Sequence, residues 1–168
     1  MATKLLLLSD THVPQRAQRL PEQVWRAVED ADLVLHAGDW VDLTLFTELK
    51  ERAKALIGVY GNNDGADLRA VLPEVAREQV DGIRFAMIHQ TGAAAGRERR
   101  MDAAFPDTDV LVFGHSHIPW DTVSPQGMRL LNPGSPTDRR RQLAHTYLTA
   151  VADGGELTDV TLVPVATE

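Results

Sequence analysis

The sequence predicts a single α/β domain over residues 1–168, with parallel strands in its first half and hairpins in its second. Short apolar runs alternate with amphipathic helical stretches as far as Pro73. Beyond it, three pairs of apolar runs each close on a glycine-bearing turn. A length of 168 residues is enough for one sizeable core and short for two.

Each element follows from its local pattern. "LLLLSD" (5–10) reads as a first strand, and "PEQVWRAVEDA" (21–31) as a helix that Pro21 opens, with Val24, Trp25 and Val28 on one face. "LVLHAGD" (33–39) is a second strand, followed by helix 42–55 with Leu45, Phe46 and Leu49 at helical spacing. "LIGVYGNND" (56–64) is a third strand, and a short helix over 66–72 stops before Pro73. This β-α-β-α-β order calls for parallel pairing through crossover helices. Within 76–90, Asp81-Gly82 marks a hairpin; a helix over 96–104 then leads to the strand "DVLVFGHSH" (109–117). Two further hairpins turn at Pro125-Gln126-Gly127 and at Asp153-Gly154-Gly155. No repeat, low-complexity block or linker interrupts the series.

Composition narrows the function classes. A net charge of −7 argues against a broad surface for a nucleic-acid polymer. Apolar runs are too short to cross a bilayer, so no membrane association is expected. With no cysteine there is neither a disulfide nor a thiolate ligand, in keeping with a cytoplasmic protein. No G-x-G-x-x-G and no G-x-x-x-x-G-K-[ST] is present, which removes the common nucleotide-binding routes.

Five strand candidates end on the same kinds of residue: Asp10 with His12, Asp39 behind Gly38, Asn62 behind Gly61, His89, and His115 with His117 behind Gly114. In open α/β sheets the carboxyl ends of strands converge on one edge, so these side chains are expected to meet. Carboxylate, imidazole and amide groups form a ligand set for divalent transition metals. Seven such groups exceed the needs of one ion and suit two that share a carboxylate. Singly, each has an ordinary alternative: Asp10 and Asp39 as loop or helix caps, Asn62 in a left-handed turn, His89 as a hydrogen-bonded core histidine. Their joint placement is what points to metal. A phospho-acceptor domain also uses strand-end aspartates, but has no need of these histidines.

"DTH" (10–12), "GDWVD" (38–42), "GNND" (61–64), His89 and "GHSH" (114–117) follow, in order, the pattern of the calcineurin-like metallophosphoesterases. The short length and "NPGS" (132–135) resemble the small single-domain bacterial and archaeal phosphodiesterases of that superfamily. The resemblance implies a four-layer αββα sandwich of two mixed sheets flanked by helices, with a dinuclear metal site at the strand ends. It places Asp10, His12 and His117 on one metal, Asn62, His89 and His115 on the other, and Asp39 between them. Two divalent ions are expected, manganese first, with nickel, iron, zinc or magnesium as alternatives. The implied reaction is in-line attack on phosphorus by a hydroxide bridging the two ions. A small phosphoester substrate and a homo-oligomer complete the expectation.

Asp39, Asn63 and Asp64 are the candidate catalytic residues. Many superfamily members carry histidine at the position of Asn63, where it protonates the leaving oxygen; asparagine donates a hydrogen bond but is no general acid. Asp42 is then left as a helix N-cap, and acidic leaving alcohols are favoured. Gln90, where small relatives carry glycine, narrows or reshapes the pocket. Asn132, Gly134, Ser135 and Arg139 are candidate substrate contacts, through an anion nest and a guanidinium, against plain turn and surface roles. Arg140 and Arg141 share the second alternative. His36 is assigned to the other layer or to supporting the site, His145 to a surface or core role, and the three tryptophans to packing, with Trp40 and Trp120 as possible pocket walls. Two alternatives to a diesterase stand: a protein-binding scaffold like the retromer scaffold subunit, and a small phosphomonoesterase.

Overall fold

The computed structural model describes residues 2–166; the expected span of 1–168 therefore includes Met1, Thr167 and Glu168, which lie outside the described residues. One five-stranded sheet has the order β10-β9-β1-β2-β3. It is built from β1 (Thr3–Leu8), β2 (Leu33–His36), β3 (Leu56–Gly58), β9 (Thr146–Asp153) and β10 (Glu156–Pro164). The other has the order β4-β5-β6-β8-β7. Its strands are β4 (Val75–Val80), β5 (Ile83–Ile88), β6 (Val110–Val112), β7 (Trp120–Val123) and β8 (Arg129–Asn132). Both sheets are mixed. β1, β2 and β3 pair in parallel, as the crossover pattern requires, while β9 joins β1 antiparallel. In the second sheet β5, β6 and β8 run parallel, between the antiparallel partners β4 and β7.

β1 shows why four leucines stand in a row. Leu5 and Leu7 face the second sheet, where they meet Phe85, Met87, Val110 and Val112. Leu6 and Leu8 face Val24, Trp25, Val28, Leu45 and Leu49 from α1 (Glu22–Asp30) and α2 (Leu43–Arg52). A strand covered on both faces has no polar side to show, so its period of two is hidden in a continuous apolar run. On the far side, α4 (Arg97–Ala104) sets Met101 and Phe105 against Ala86, Leu111 and Leu130. The layers are therefore helix, sheet, sheet, helix.

The local signals act as expected. Pro21 stands just before α1, and the Asp42 carboxylate caps α2 by accepting from Thr44 N at 2.8 Å. α3 (Ala66–Val71) ends before Pro73. Asp81 and Gly82, with φ of 46° and 82°, make the tight turn between β4 and β5. Trp40 does not wall a pocket: it is fully buried, stacked on His36 at 3.7 Å, and donates to Val59 O at 2.8 Å. Trp120 packs against α4 at the edge of its cluster, where it pairs with Asn132 at the end of β8. Among the described residues, no helix is long and apolar enough to cross a membrane.

Candidate metal centre

Strand ends of both sheets open onto the same end of the sandwich. Asp10 and His12 follow β1, Asp39 follows β2, Asn62 follows β3, His89 follows β5, and His115 and His117 follow β6. Backbone bonds stitch these loops together: Asp10 N to Gly38 O at 2.9 Å, His12 N to Asp39 O at 3.1 Å, and Gly114 N to His89 O at 3.1 Å. Five of the seven expected ligands, Asp10, His12, Asp39, His115 and His117, have φ between 44° and 74°. Non-glycine residues seldom adopt this left-handed region, and they concentrate where a site dictates the backbone. His115 and His117 thus lie in a loop beyond β6, and not within a strand running to 117 as the sequence predicted.

The loops bring all seven side chains together. Asp10, His12 and His117 form one group, and Asp39, His89 and His115 a second, each with ligand atoms within 4.8 Å of one another. Asp39 Oδ2 lies 3.4 Å from His12 Nε2 and 3.3 Å from His89 Nε2, so this carboxylate stands between the groups. Asn62 Oδ1 is 3.0 Å from His89 Nε2 and 3.1 Å from His115 Nδ1, which adds it to the second.

The hydrogen bonds test whether cations fit here. His89 Nδ1 donates to Ala37 O at 2.7 Å, and His117 Nδ1 donates to Asp138 O. Each ring thereby turns Nε2 towards oxygens, Asp39 Oδ2 and Asn62 Oδ1 for His89 and Asp10 Oδ1 at 3.5 Å for His117. Lone pairs aimed at carboxylate oxygens repel unless a proton or a metal lies between them. Among the described residues five buried side-chain polar atoms lack a hydrogen-bond partner; four are here, Asp10 Oδ1, His12 Nδ1, His12 Nε2 and His117 Nε2. Buried polar atoms are rarely left so, and this donor set fits divalent cations.

Electrostatics agree. Burial pushes Asp10 up, but the imidazoles of His12, His89 and His117 outweigh it and hold the carboxyl below the usual carboxylate range. Asp39 is lowered too, burial being outweighed by His89 and by Asn63. Burial drives His89 down, yet Asp39 and Asp10 hold it above the ordinary histidine value. Burial lowers His115 and His117. The carboxylates are ionised and ready to ligate.

Several neighbours serve the site without joining it. The Asp64 carboxylate, expected to be catalytic, is buried and accepts from Asp39 N, Gly61 N and Val41 N at 3.0, 2.8 and 2.7 Å. Burial raises its pKa against those three donors. It ties the loops after β2 and β3 together instead of facing a substrate. Asn63 donates to Asp39 twice, from its backbone N to Oδ1 and from Nδ2 to Oδ2, both at 2.9 Å. Gln90 reaches His115 Nδ1 at 3.3 Å. His36 supports the second strand end from beneath, its Nε2–H donating to Thr11 Oγ1 at 3.0 Å while Nδ1 accepts from Gly38 N at 3.1 Å. At Gly61 a Cβ would overlap the Asp39 carboxylate, and at Gly114 it would overlap the Ser9 hydroxyl.

The expected anion nest takes a different form. Asn132, Gly134 and Ser135 are buried and spent on internal bonds. Asn132 Nδ2 donates to Gly114 O at 3.2 Å, Asn132 Oδ1 accepts from Gly134 N at 2.9 Å, and the Ser135 hydroxyl donates to Asp10 O at 2.7 Å. The Asn132 and Ser135 side chains and the Gly134 N–H brace the ligand loops. Arg139 turns to Gln142 O; Arg140 is the arginine beside the site, 3.4 Å from His115 O. His145 is half-buried beside Arg139. Sequence reasoning missed Ser9, which donates to Asp10 Oδ2 at 2.7 Å, and Asp138, whose carbonyl orients His117; a serine before "DTH" was the only available sign. A cavity of about 270 Å³ borders Asn62 and His89, walled by Tyr60, Arg69, Glu74 and Gln90. A larger one of about 690 Å³ lies between α2, β3 and β4, and none of the seven residues lines it.

A four-layer sandwich with paired Asp, His and Asn groups at its strand ends has the form of a metallophosphoesterase. The chain belongs to the calcineurin-like phosphoesterase superfamily, whose family model matches residues 3–155. It is similar to a probable metallophosphoesterase of Methanothermobacter thermautotrophicus, 36% identical over 133 residues that cover 78% of this chain and 76% of that one. A protein of Methanocaldococcus jannaschii named as a phosphodiesterase is 26% identical over 125 residues, 68% of this chain and 73% of that one. A Thermotoga maritima structure superposes with a TM-score of 0.77 at 35% identity, covering 97% of this chain and 99% of that one. Vps29 of Chaetomium thermophilum, 19% identical with a TM-score of 0.80 over 97% of each chain, shares the fold.

Proposed function

We propose that this protein is a phosphodiesterase that works with two divalent metals, manganese foremost. Asp10, His12 and His117 would hold one and Asn62, His89 and His115 the other, with Asp39 shared. The observation that carries the proposal is the position of Asp39 Oδ2, within 3.4 Å of an imidazole from each group. Cations bound there polarise phosphoryl oxygens and lower the pKa of a water between them.

The chain's own residues do the rest. Asn63 grips both oxygens of Asp39 and so orients the shared carboxylate. It has no proton to deliver, so the departing oxygen must leave as a stable anion, and diesters with acidic alcohols are the favoured substrates. Arg140 adds positive charge beside His115 and draws an anionic ester to an otherwise acidic protein. The cavity beside Asn62 and His89 takes the organic part of a small phosphoester. Metal removal and return tests the proposal: stripped protein is given manganese, nickel, zinc or magnesium and assayed on an aryl phosphodiester beside the matching monoester. Manganese restores activity, the diester is preferred, and Asp39→Asn and His115→Ala abolish it. Full activity in His115→Ala overturns the ligand assignment, and monoester preference replaces the diesterase with a phosphomonoesterase. Stoichiometric metal binding without hydrolysis favours the scaffold. A cytoplasmic location and a homo-oligomer belong to the same proposal, resting on the cysteine-free composition and on the resemblance.

A further inference from the structure

Arg97 is a buried cation with neutral partners. It opens α4 at 5% exposure, and its hydrogen bonds go to Thr91 Oγ1 at 2.8 Å and Gly92 O at 3.4 Å. Among the described residues no carboxylate closes an ion pair on it. The adjacent Glu98 is taken up by Trp120 Nε1 and Thr122 Oγ1 at 3.2 and 2.9 Å. Instead the guanidinium lies between two rings, 4.7 Å from the centre of Phe113 and 4.4 Å from that of Trp120. A flat cation is well suited to stack on aromatic faces, but burying it with no direct ion pair, only the nearby charge of Glu98, is costly for folding alone.

The two rings explain the expense. Phe113 ends the segment that enters "GHSHIP" and Trp120 begins the segment that leaves it, so they are the two posts of the loop carrying His115 and His117. Those histidines belong to different ligand groups, His117 to the first and His115 to the second. Arg97 is also tied to Thr91, two residues beyond His89. Arg100 continues the tie, donating to Thr91 O at 3.0 and 2.7 Å and to Ala93 O at 2.6 Å. We infer that Arg97 is a positioning residue: wedged between Phe113 and Trp120, it sets the stance of the histidine loop against the loop of His89, and with it the spacing of the two ligand groups. The spacing of the groups matters on the metal-centre reading above, whereas the wedge itself is testable without any metal.

Two variants separate the effects. Arg97→Lys keeps the charge and loses the plane; Arg97→Met keeps apolar bulk and removes the buried charge. The first measurement is the imidazole nitrogen–proton NMR spectrum of the metal-free protein. Both variants shift the His115 and His117 resonances and leave His36, which is held by Thr11 and Gly38, in place. The second is a manganese titration, in which both variants bind the second equivalent at least tenfold more weakly than wild type. Arg97→Met keeps a melting temperature at or above that of the metal-free parent, because a buried cation with no direct ion pair has gone. Unmoved His115 and His117 resonances in the folded Arg97→Met protein overturn the inference whether or not manganese binds. A uniform drop in melting temperature with His36 shifting equally assigns Arg97 to general packing and overturns it too.

Discussion

Asn63 meets Asp39 with two donors, one from the backbone and one from the side chain, each 2.9 Å from a different carboxylate oxygen. Asparagine stands where many superfamily members carry histidine, and on the proposed reading it supplies no proton to the leaving oxygen. Asn63→His is expected to raise kcat on a dialkyl phosphate about 10²-fold, in the range of general-acid catalysis, with little change on a nitrophenyl diester. Parallel assays on the two esters check this. An equal gain on both would mean that leaving-group protonation does not limit the wild type.

Asp64 holds three backbone N–H groups of two loops on one buried carboxylate. Asp64→Ala leaves those donors without an acceptor and is expected to lower stability by about 3 kcal/mol, as read from urea melts. The same variant should weaken manganese binding, because Asp39 sits on the loop that is released. A variant as stable as wild type would reassign Asp64 to direct chemistry.

His36 has a pH signature of its own. Burial lowers its pKa from 6.5 to about 3. Between those values the unfolded chain binds a proton that the folded chain refuses, so the His36 contribution grows as pH rises from about 3 to 6.5 and is constant above that. In metal-free protein it should make pH 5 less favourable than pH 7 by about 2 kcal/mol. Asp10 and Asp39, with lowered pKa values, lose their contributions only at more acid pH, as pH falls below the usual carboxylate range. His89 acts the other way, its raised pKa giving a contribution that is lost as pH climbs through the folded value. Denaturant melts across pH and an NMR titration showing a neutral His36 ring at pH 5 check the assignment.

Metal should stabilise as well as activate. The four partnerless buried atoms of Asp10, His12 and His117 are a cost that bound cations remove. Manganese at a hundredfold excess over its dissociation constant is expected to add about 2.7 kcal/mol per site to the unfolding free energy. Chelator should reverse this, and His117→Ala should abolish the share of the site formed with Asp10 and His12, about half of the gain. Calorimetric melts with and without metal provide the measurement.

Much of the fold was legible because its signals are local. Pro21, Asp42, Pro73 and Asp81-Gly82 mark element ends through their own φ preferences and hydrogen bonds, and the leucines of β1 report burial on both faces. The seven ligand-type residues could be gathered in advance because strand ends converge whatever the details of packing. The linear pattern also determined that Asn63 is no general acid, since that is a property of the residue itself.

Tertiary structure decided how each side chain is spent. Asp64 and "NPGS" offer acceptors and donors that look free in the sequence, but loops more than twenty residues away claim them. Arg139 and Arg140 are adjacent and chemically alike, and only the turn at Arg140, with φ of 51°, decides that the second one meets His115. Arg97 carries no local sign of its place in the sequence, and only packing sets it beside Phe113 and Trp120. Backbone propensities and strand order are encoded over a few residues, whereas the partner of a buried polar group is chosen by segments that meet only once the two sheets have closed.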